Sequence, residues 1–112
     1  SLMDLNIDNN KLKSLYFPNF TRLNKISAKN NQLKDIKFVS CKNLEYAYFS
    51  YNQIESFNLI DTPYLYVIEL SNNRMKHVNF GDNKDVFDFT QYRFLTSLEL
   101  DFNLIETLPK FV

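Results

Sequence analysis

Glycine is almost missing from this sequence, at one residue in 112. An all-β sandwich needs many glycine turns, so that architecture is disfavoured. A single cysteine excludes an intramolecular disulfide and any cluster of thiolate metal ligands, and a single histidine removes most metal and acid–base constellations. Excess charge of either sign is also lacking, with 13 basic residues against 13 acidic ones. The strong positive field of a nucleic-acid binder or a membrane-surface protein is therefore not built here, and neither partner is expected. Disorder is excluded too, because 45% of the residues are apolar. No apolar run approaches the roughly 20 residues of a bilayer span, and the chain does not open on a signal-peptide pattern. A glycine-rich phosphate loop, a Ser/His/Asp arrangement and paired catalytic carboxylates are all absent from the sequence pattern. The expectation is a chain with no enzymatic chemistry, no cofactor and no metal, either one domain of ordinary size or a piece of a larger one.

What the chain has in abundance is asparagine, 15 residues, together with 11 Phe and 7 Tyr. Much of this falls into an internal repeat, L-x-x-L-x-L-x-x-N-x-L-x-x-L. The first copy runs through Leu2, Leu5, Ile7, Asn10, Leu12 and Leu15, and the second through Leu23, Ile26, Ala28, Asn31, Leu33 and Ile36. The third is Leu44, Ala47, Phe49, Asn52, Ile54 and Phe57; the fourth is Leu65, Ile68, Leu70, Asn73, Met75 and Val78. The fifth is Leu95, Leu98, Leu100, Asn103, Ile105 and Leu108. All 25 apolar slots hold apolar residues and all five Asn slots hold Asn. The units fall at about 2–22, 23–43, 44–64, 65–94 and 95–112.

Each copy reads as one turn of a solenoid. The L-x-L segment alternates in and out as a half-buried strand does, and the next copy lays its strand about 4.8 Å away in parallel. The Asn follows where the chain turns inward. Its amide carries two donors and an acceptor, enough to satisfy main-chain groups buried at that turn. Stacked Asn10, Asn31, Asn52, Asn73 and Asn103 then form a buried ladder, and stability resides in the interfaces between repeats. A second apolar column, Phe17, Phe38, Leu59 and Phe80, recurs every 21 residues. Its spacing two residues beyond Leu15, Ile36, Phe57 and Val78 predicts a short extended segment on the far side instead of a helix.

These five in-phase copies resemble the leucine-rich repeat family over roughly residues 2–110. The 21-residue length and the Phe/Leu step are loosely similar to internalin-type bacterial surface proteins. The resemblance implies a curved solenoid with a parallel β-sheet on the concave face, short extended segments and loops on the convex face, and a protein partner bound on the concave sheet.

The pattern is broken once, by nine extra residues between the fourth and fifth copies. Gly81-Asp82-Asn83 signals a turn there, and Asp85 is placed to cap one or two helical turns. Val86, Phe87, Phe89, Tyr92 and Phe94 follow. They read either as cover for the sheet edge and core or as an exposed anchor for a partner. The insertion is expected to bulge from the convex or edge side and to leave the pairing of the fifth strand with the fourth intact. Neither end carries a polar cap or a cysteine cluster, which points to a longer chain or to an end packed against something.

Alternation projects the residues between the Leu positions out of the concave sheet. One column reads Asp4, Lys25, Tyr46, Val67, Ser97; the next Asn6, Ser27, Tyr48, Glu69, Glu99; the third Asp8, Lys29, Ser50, Ser71, Asp101. Beyond it come Asn9, Asn30, Tyr51, Asn72 and Phe102. Asp4, Asp8, Lys25 and Lys29 are expected to pair laterally as solvated surface. Tyr46, Tyr48, Tyr51, Tyr66 and Val67 are expected to cluster as the partner-binding centre, because tyrosine is enriched at binding hot spots. Strand preference alone would also place tyrosines there. Glu69, Glu99 and Asp101 form an acidic border suited to a basic partner, with carboxylates expected to be too open to water to be shifted. His77 reads as plain surface, and Cys41 as an inert buried thiol in a column with Phe20 and Thr62. Asn19-Phe20-Thr21 is a glycosylation sequon that matters only in a secreted eukaryotic chain. A protein-interaction module is the leading function. A carbohydrate-binding surface and the substrate-targeting segment of a larger enzyme are the alternatives.

Overall fold

The computed structural model describes residues 1–81 and 85–112. It is a parallel β-solenoid of five coils, and among the described residues the one short helix is a 3-10 turn in the insertion. Strands β1 (Met3–Asn6), β3 (Leu23–Ser27), β5 (Tyr46–Tyr48), β7 (Val67–Glu69) and β9 (Ser97–Glu99) stack in that order into a five-stranded sheet. The register follows the repeat: Leu5 pairs with Ile26, Ile26 with Ala47, Ala47 with Ile68 and Ile68 with Leu98. The expected pairing across the insertion is therefore present.

The far side goes further than the sequence pattern predicts. The extended segments β2 (Ser14–Pro18), β4 (Asp35–Val39) and β6 (Ser56–Ile60) do not lie singly; they pair into a second parallel sheet, β2-β4-β6. Equal repeat length forces this, because a strand that recurs every 21 residues on one side of the coil recurs with the same period on the other. Leu15, Ile36 and Phe57 stand in register, as do Phe17, Phe38 and Leu59. The phenylalanines pack the space between the sheets, with Phe17 and Phe38 stacked at 5.1 Å and Phe49 edge-on to Phe57 at 5.4 Å.

The scarcity of glycine has its explanation at the corners. After each strand of the first sheet one residue adopts the left-handed conformation: Asn9, Asn30, Tyr51, Asn72 and Phe102, all with φ between 56° and 61°. Asn19, Ser40 and Asp61 do the same after β2, β4 and β6, at φ 55°, 53° and 55°. Asparagine and aspartate tolerate this region because a short polar side chain can bond locally, so they do here what glycine does elsewhere.

The asparagine ladder is satisfied rung by rung. Asn52 Oδ1 accepts from the amides of Asn31 and Leu33 at 3.1 Å, while its Nδ2 donates to the carbonyls of Ala28 and Phe49 at 3.0 Å. Asn73 takes the Ile54 amide at 2.9 Å and donates to Phe49 and Leu70 carbonyls at 3.1 Å. Asn31, Asn52 and Asn73 are buried, but Asn10 is exposed and Asn103 half-buried. The ladder is thus buried only where a coil lies on both sides.

In the insertion, β8 (Val86–Phe87) pairs in parallel with β10 (Lys110–Phe111), and a 3-10 helix spans Phe89–Tyr92. Asp88, not Asp85, caps it: Asp88 Oδ1 accepts from the Thr90 amide at 2.9 Å and the Thr90 hydroxyl at 2.7 Å. These bonds hold the Asp88 carboxyl below its ordinary pKa. Asp85 stands before β8, where its carbonyl accepts from the Lys110 amide at 2.8 Å. Phe87 and Tyr92 are buried against Phe80, so the insertion supplies core as one reading required, while Phe89 remains half exposed. Burial pushes the Tyr92 hydroxyl up to about 12. The turn signal at Asp82-Asn83 lies outside the described residues.

Candidate functional site

The outer face of the five-stranded sheet carries the columns that alternation predicts. Asp4, Lys25, Tyr46, Val67 and Ser97 stand side by side, and so do Asn6, Ser27, Tyr48, Glu69 and Glu99. Not every member is open to solvent, however. Ser27, Ser50 and Ser71 are buried, because these small side chains sit between larger neighbours that close over them. The Ser27 hydroxyl donates to Asp8 Oδ1 at 2.7 Å, and that oxygen also accepts from the Lys29 amide at 2.7 Å. The Ser71 hydroxyl donates to Asp101. Asp8 and Asp101 are thereby partly engaged in holding neighbouring coils, which narrows the acidic border to Glu69 and Glu99.

The expected lateral ion pairs do not form. Among the described residues the one salt bridge joins Lys42 to Asp61 at 3.7 Å, between two exposed side chains far from this face. Lys25 and Lys29 instead direct their ammonium groups to the Tyr48 ring, 5.5 and 6.0 Å from its centroid. A cation over an aromatic face is attracted by the ring quadrupole. The middle strand offers a broad ring where the first offers only short carboxylates.

The tyrosines divide into three groups. Tyr46 and Tyr66 lie nearly parallel with centroids 6.2 Å apart. Tyr48 stands one pair further along the strand between the two lysines and Glu69. Tyr51 is not part of the cluster: it occupies a left-handed corner, is exposed, and makes no ring contact among the described residues. The Tyr46–Tyr66 pair continues instead into residues the sequence reading did not assign to this site. Phe94 lies 5.9 Å from Tyr66 and 5.6 Å from Tyr64, with the Arg93 guanidinium 5.8 Å over its ring. The signal for them was present, since Tyr64 and Phe94 occupy the same slot just before Leu65 and Leu95. Tyr46, Tyr66, Phe94 and Tyr64 form one aromatic ridge along the edge where the strands begin.

Glu69 and Glu99 pair directly across β7 and β9. Glu69 departs from the expectation of an unshifted carboxylate. Its pKa is raised, first by burial and then by Glu99, against the opposing charge of Lys29. Tyr48 is raised as well, by burial and by the neighbouring Glu69. The face therefore presents Lys25 on β3 and Lys29 just beyond it, rings on β5 and carboxylates on β7 and β9. Asp4, Lys25, Lys29, Tyr48 and Glu69 line a shallow depression of about 550 Å³.

Two other singled-out residues are placed as structure. His77 is exposed, with Nδ1 3.0 Å from the Thr107 hydroxyl at a bridge between the fourth and fifth coils. Cys41 is fully buried, its thiol donates to the Phe17 carbonyl at 3.2 Å, and burial pushes its pKa up. Thr62 is buried beside it in the coil pattern, while Phe20 at the end of that column is exposed. Compared with protein-family models, with curated proteins and with solved structures, the chain finds no match.

Proposed function

We propose that this chain is a leucine-rich-repeat type of protein-binding scaffold without enzymatic chemistry, and that a protein partner docks on the outer, concave side of the five-stranded sheet. The observation that carries the reading is the aromatic ridge of Tyr46, Tyr66, Phe94 and Tyr64 flanked by the Glu69–Glu99 pair. Rigid aromatic side chains offer large contact area at low entropic cost. Two carboxylates in register oppose each other, so their positions favour a partner that brings positive charge. The test is an affinity measurement on a protein captured by the chain from its native extract. Tyr66→Ala and Tyr46→Ala should weaken binding by about tenfold or more each. Phe89→Ala, in the insertion, should not change it. Normal binding by both tyrosine variants with loss at Phe89 would place the site on the insertion.

A second reading is favoured by one feature. The near-parallel Tyr46 and Tyr66 rings, inclined by 25°, present flat faces on which a sugar ring stacks. Retention of the chain on a glycan array without any protein partner, abolished by Tyr66→Ala, supports carbohydrate over protein.

A further inference from the structure

We propose that the partner segment held on the five-stranded sheet is extended, crosses the strands, and carries an acidic and a basic residue four positions apart. The inference rests on the docking reading above and adds the chemistry of the partner. What carries it is that the face displays charge of both signs and leaves both unneutralised.

Lys25 and Lys29 have Asp4 and Asp8 to one side and Glu69 to the other, yet they form no ion pair; among the described residues the one salt bridge lies elsewhere. Their ammonium groups are held 5.5 and 6.0 Å from the Tyr48 centroid. An ammonium over a ring keeps its full charge, because the ring offers a quadrupole and no counter-ion. Across the sheet, Glu69 and Glu99 stand in register and are likewise outside any salt bridge among the described residues. Burial and then Glu99 raise the Glu69 carboxyl, which Lys29 opposes without cancelling. Tyr48 lies between Ser27 and Glu69 in its column, and its ring keeps the lysines from the glutamates.

The order across the sheet sets the order in the partner. From β1 to β9 the face reads Asp4, then Lys25 with Lys29, then Tyr48, then Glu69 and Glu99. A uniformly basic segment is repelled by the lysines and a uniformly acidic one by the glutamates, whereas one residue of each sign satisfies both. β3 lies two strand spacings from β7 and three from β9, roughly 10 and 14 Å. Four residues of extended chain span about 13 Å, and residues four apart project from the same face. The residue midway then falls near Tyr48, at the shallow depression that Lys25, Lys29 and Glu69 also line. Asp4 and Asp8 border the lysines on the far side, so an acidic residue placed beyond the lysines is repelled.

Immobilised peptides test this. Three sets are identical except at two positions four apart, which are acidic and basic, both basic, or both acidic; the other positions are varied at random. The parent chain should bind the mixed set about tenfold more tightly than either uniform set, and the preference should fade as salt rises. Lys25→Glu with Lys29→Glu should shift the preference to the basic set, and Glu69→Lys with Glu99→Lys to the acidic set. Circular dichroism checks that each variant keeps the strand signal of the parent. Should a reversal fail to fold, the milder Lys25→Gln with Lys29→Gln and Glu69→Gln with Glu99→Gln should each erase the preference for the mixed set. A parent that binds no set, binds all three alike or prefers a uniform one would overturn the proposal. If that binding still falls with Tyr46→Ala and Tyr66→Ala, the docking reading stands without it. Charge preference that survives both tyrosine changes would support the proposal and remove the aromatic ridge from the site.

Discussion

The inner and outer coils carry the same motif and have different physical fates. Leu44 and Leu2 occupy one slot, as do Asn52 and Asn10, yet the first of each pair is buried and the second is exposed. Nothing in the local sequence distinguishes them. What differs is the coil on the other side. In a solenoid the burial of a residue, and the value of its hydrogen bonds, is set by its neighbours one repeat away.

The largest expected effects exploit this contrast. Leu44→Ala should cost about 2–5 kcal/mol by leaving a cavity, whereas Leu2→Ala should lie within about 0.5 kcal/mol of the parent. Chemical denaturation of both variants checks the difference. Asn52→Ala removes the acceptor for two buried amides. Each orphaned group should cost about 1–3 kcal/mol, while Asn10→Ala costs under about 1 kcal/mol. Equal denaturation midpoints for the two asparagine variants would mean that the ladder does not stabilise the fold.

A smaller effect concerns Thr62, whose buried hydroxyl has no hydrogen-bond partner among the described residues. Thr62→Val keeps the shape and removes the unmet polar group. It should be neutral or stabilising by up to about 1 kcal/mol, against the usual loss at a buried polar site. A loss of more than that in thermal unfolding would show that the hydroxyl is satisfied in solution.

The smallest effect is electrostatic. The folded pKa of Glu69 is raised above the unfolded value. Between those two values the folded state holds the proton more tightly, so stability falls as pH rises through that window. Glu69→Gln should therefore melt higher than the parent at pH 7, and the two should converge below about pH 4, where both states are protonated. A variant less stable than the parent at neutral pH would contradict the sign.

Much of this was legible from the sequence, and the boundary of legibility has a physical reason. Period and parity fix the strands, the register across the insertion and the interior columns, because a one-residue slip would turn every Leu outward. Parity does not fix exposure on the outward face. Ser27 and Ser71 point outward in sequence but are covered by larger neighbours and bonded to Asp8 and Asp101. Nor does it decide between competing partners for a flexible side chain: Lys25 and Lys29 had carboxylates within the expected reach and turned to the Tyr48 ring. The second sheet was half visible, since the extended Phe17 and Phe38 segments were foreseen but their pairing was not. The cap at Asp88 was missed because Asp85 and Asp88 offer the same chemistry, and only the β8–β10 pairing separates them.

Hydrogen exchange of individual ladder amides in dilute solution tests the dependence on neighbouring coils most directly. The amides of Leu33 and Ile54 donate to ladder oxygens of the coil that follows each of them, whereas among the described residues no coil follows Ile105. Leu33 and Ile54 should exchange only through opening of the whole solenoid, with protection close to its global stability, while Ile105 exchanges through local fluctuation many times faster. Similar protection at all three positions would contradict the account.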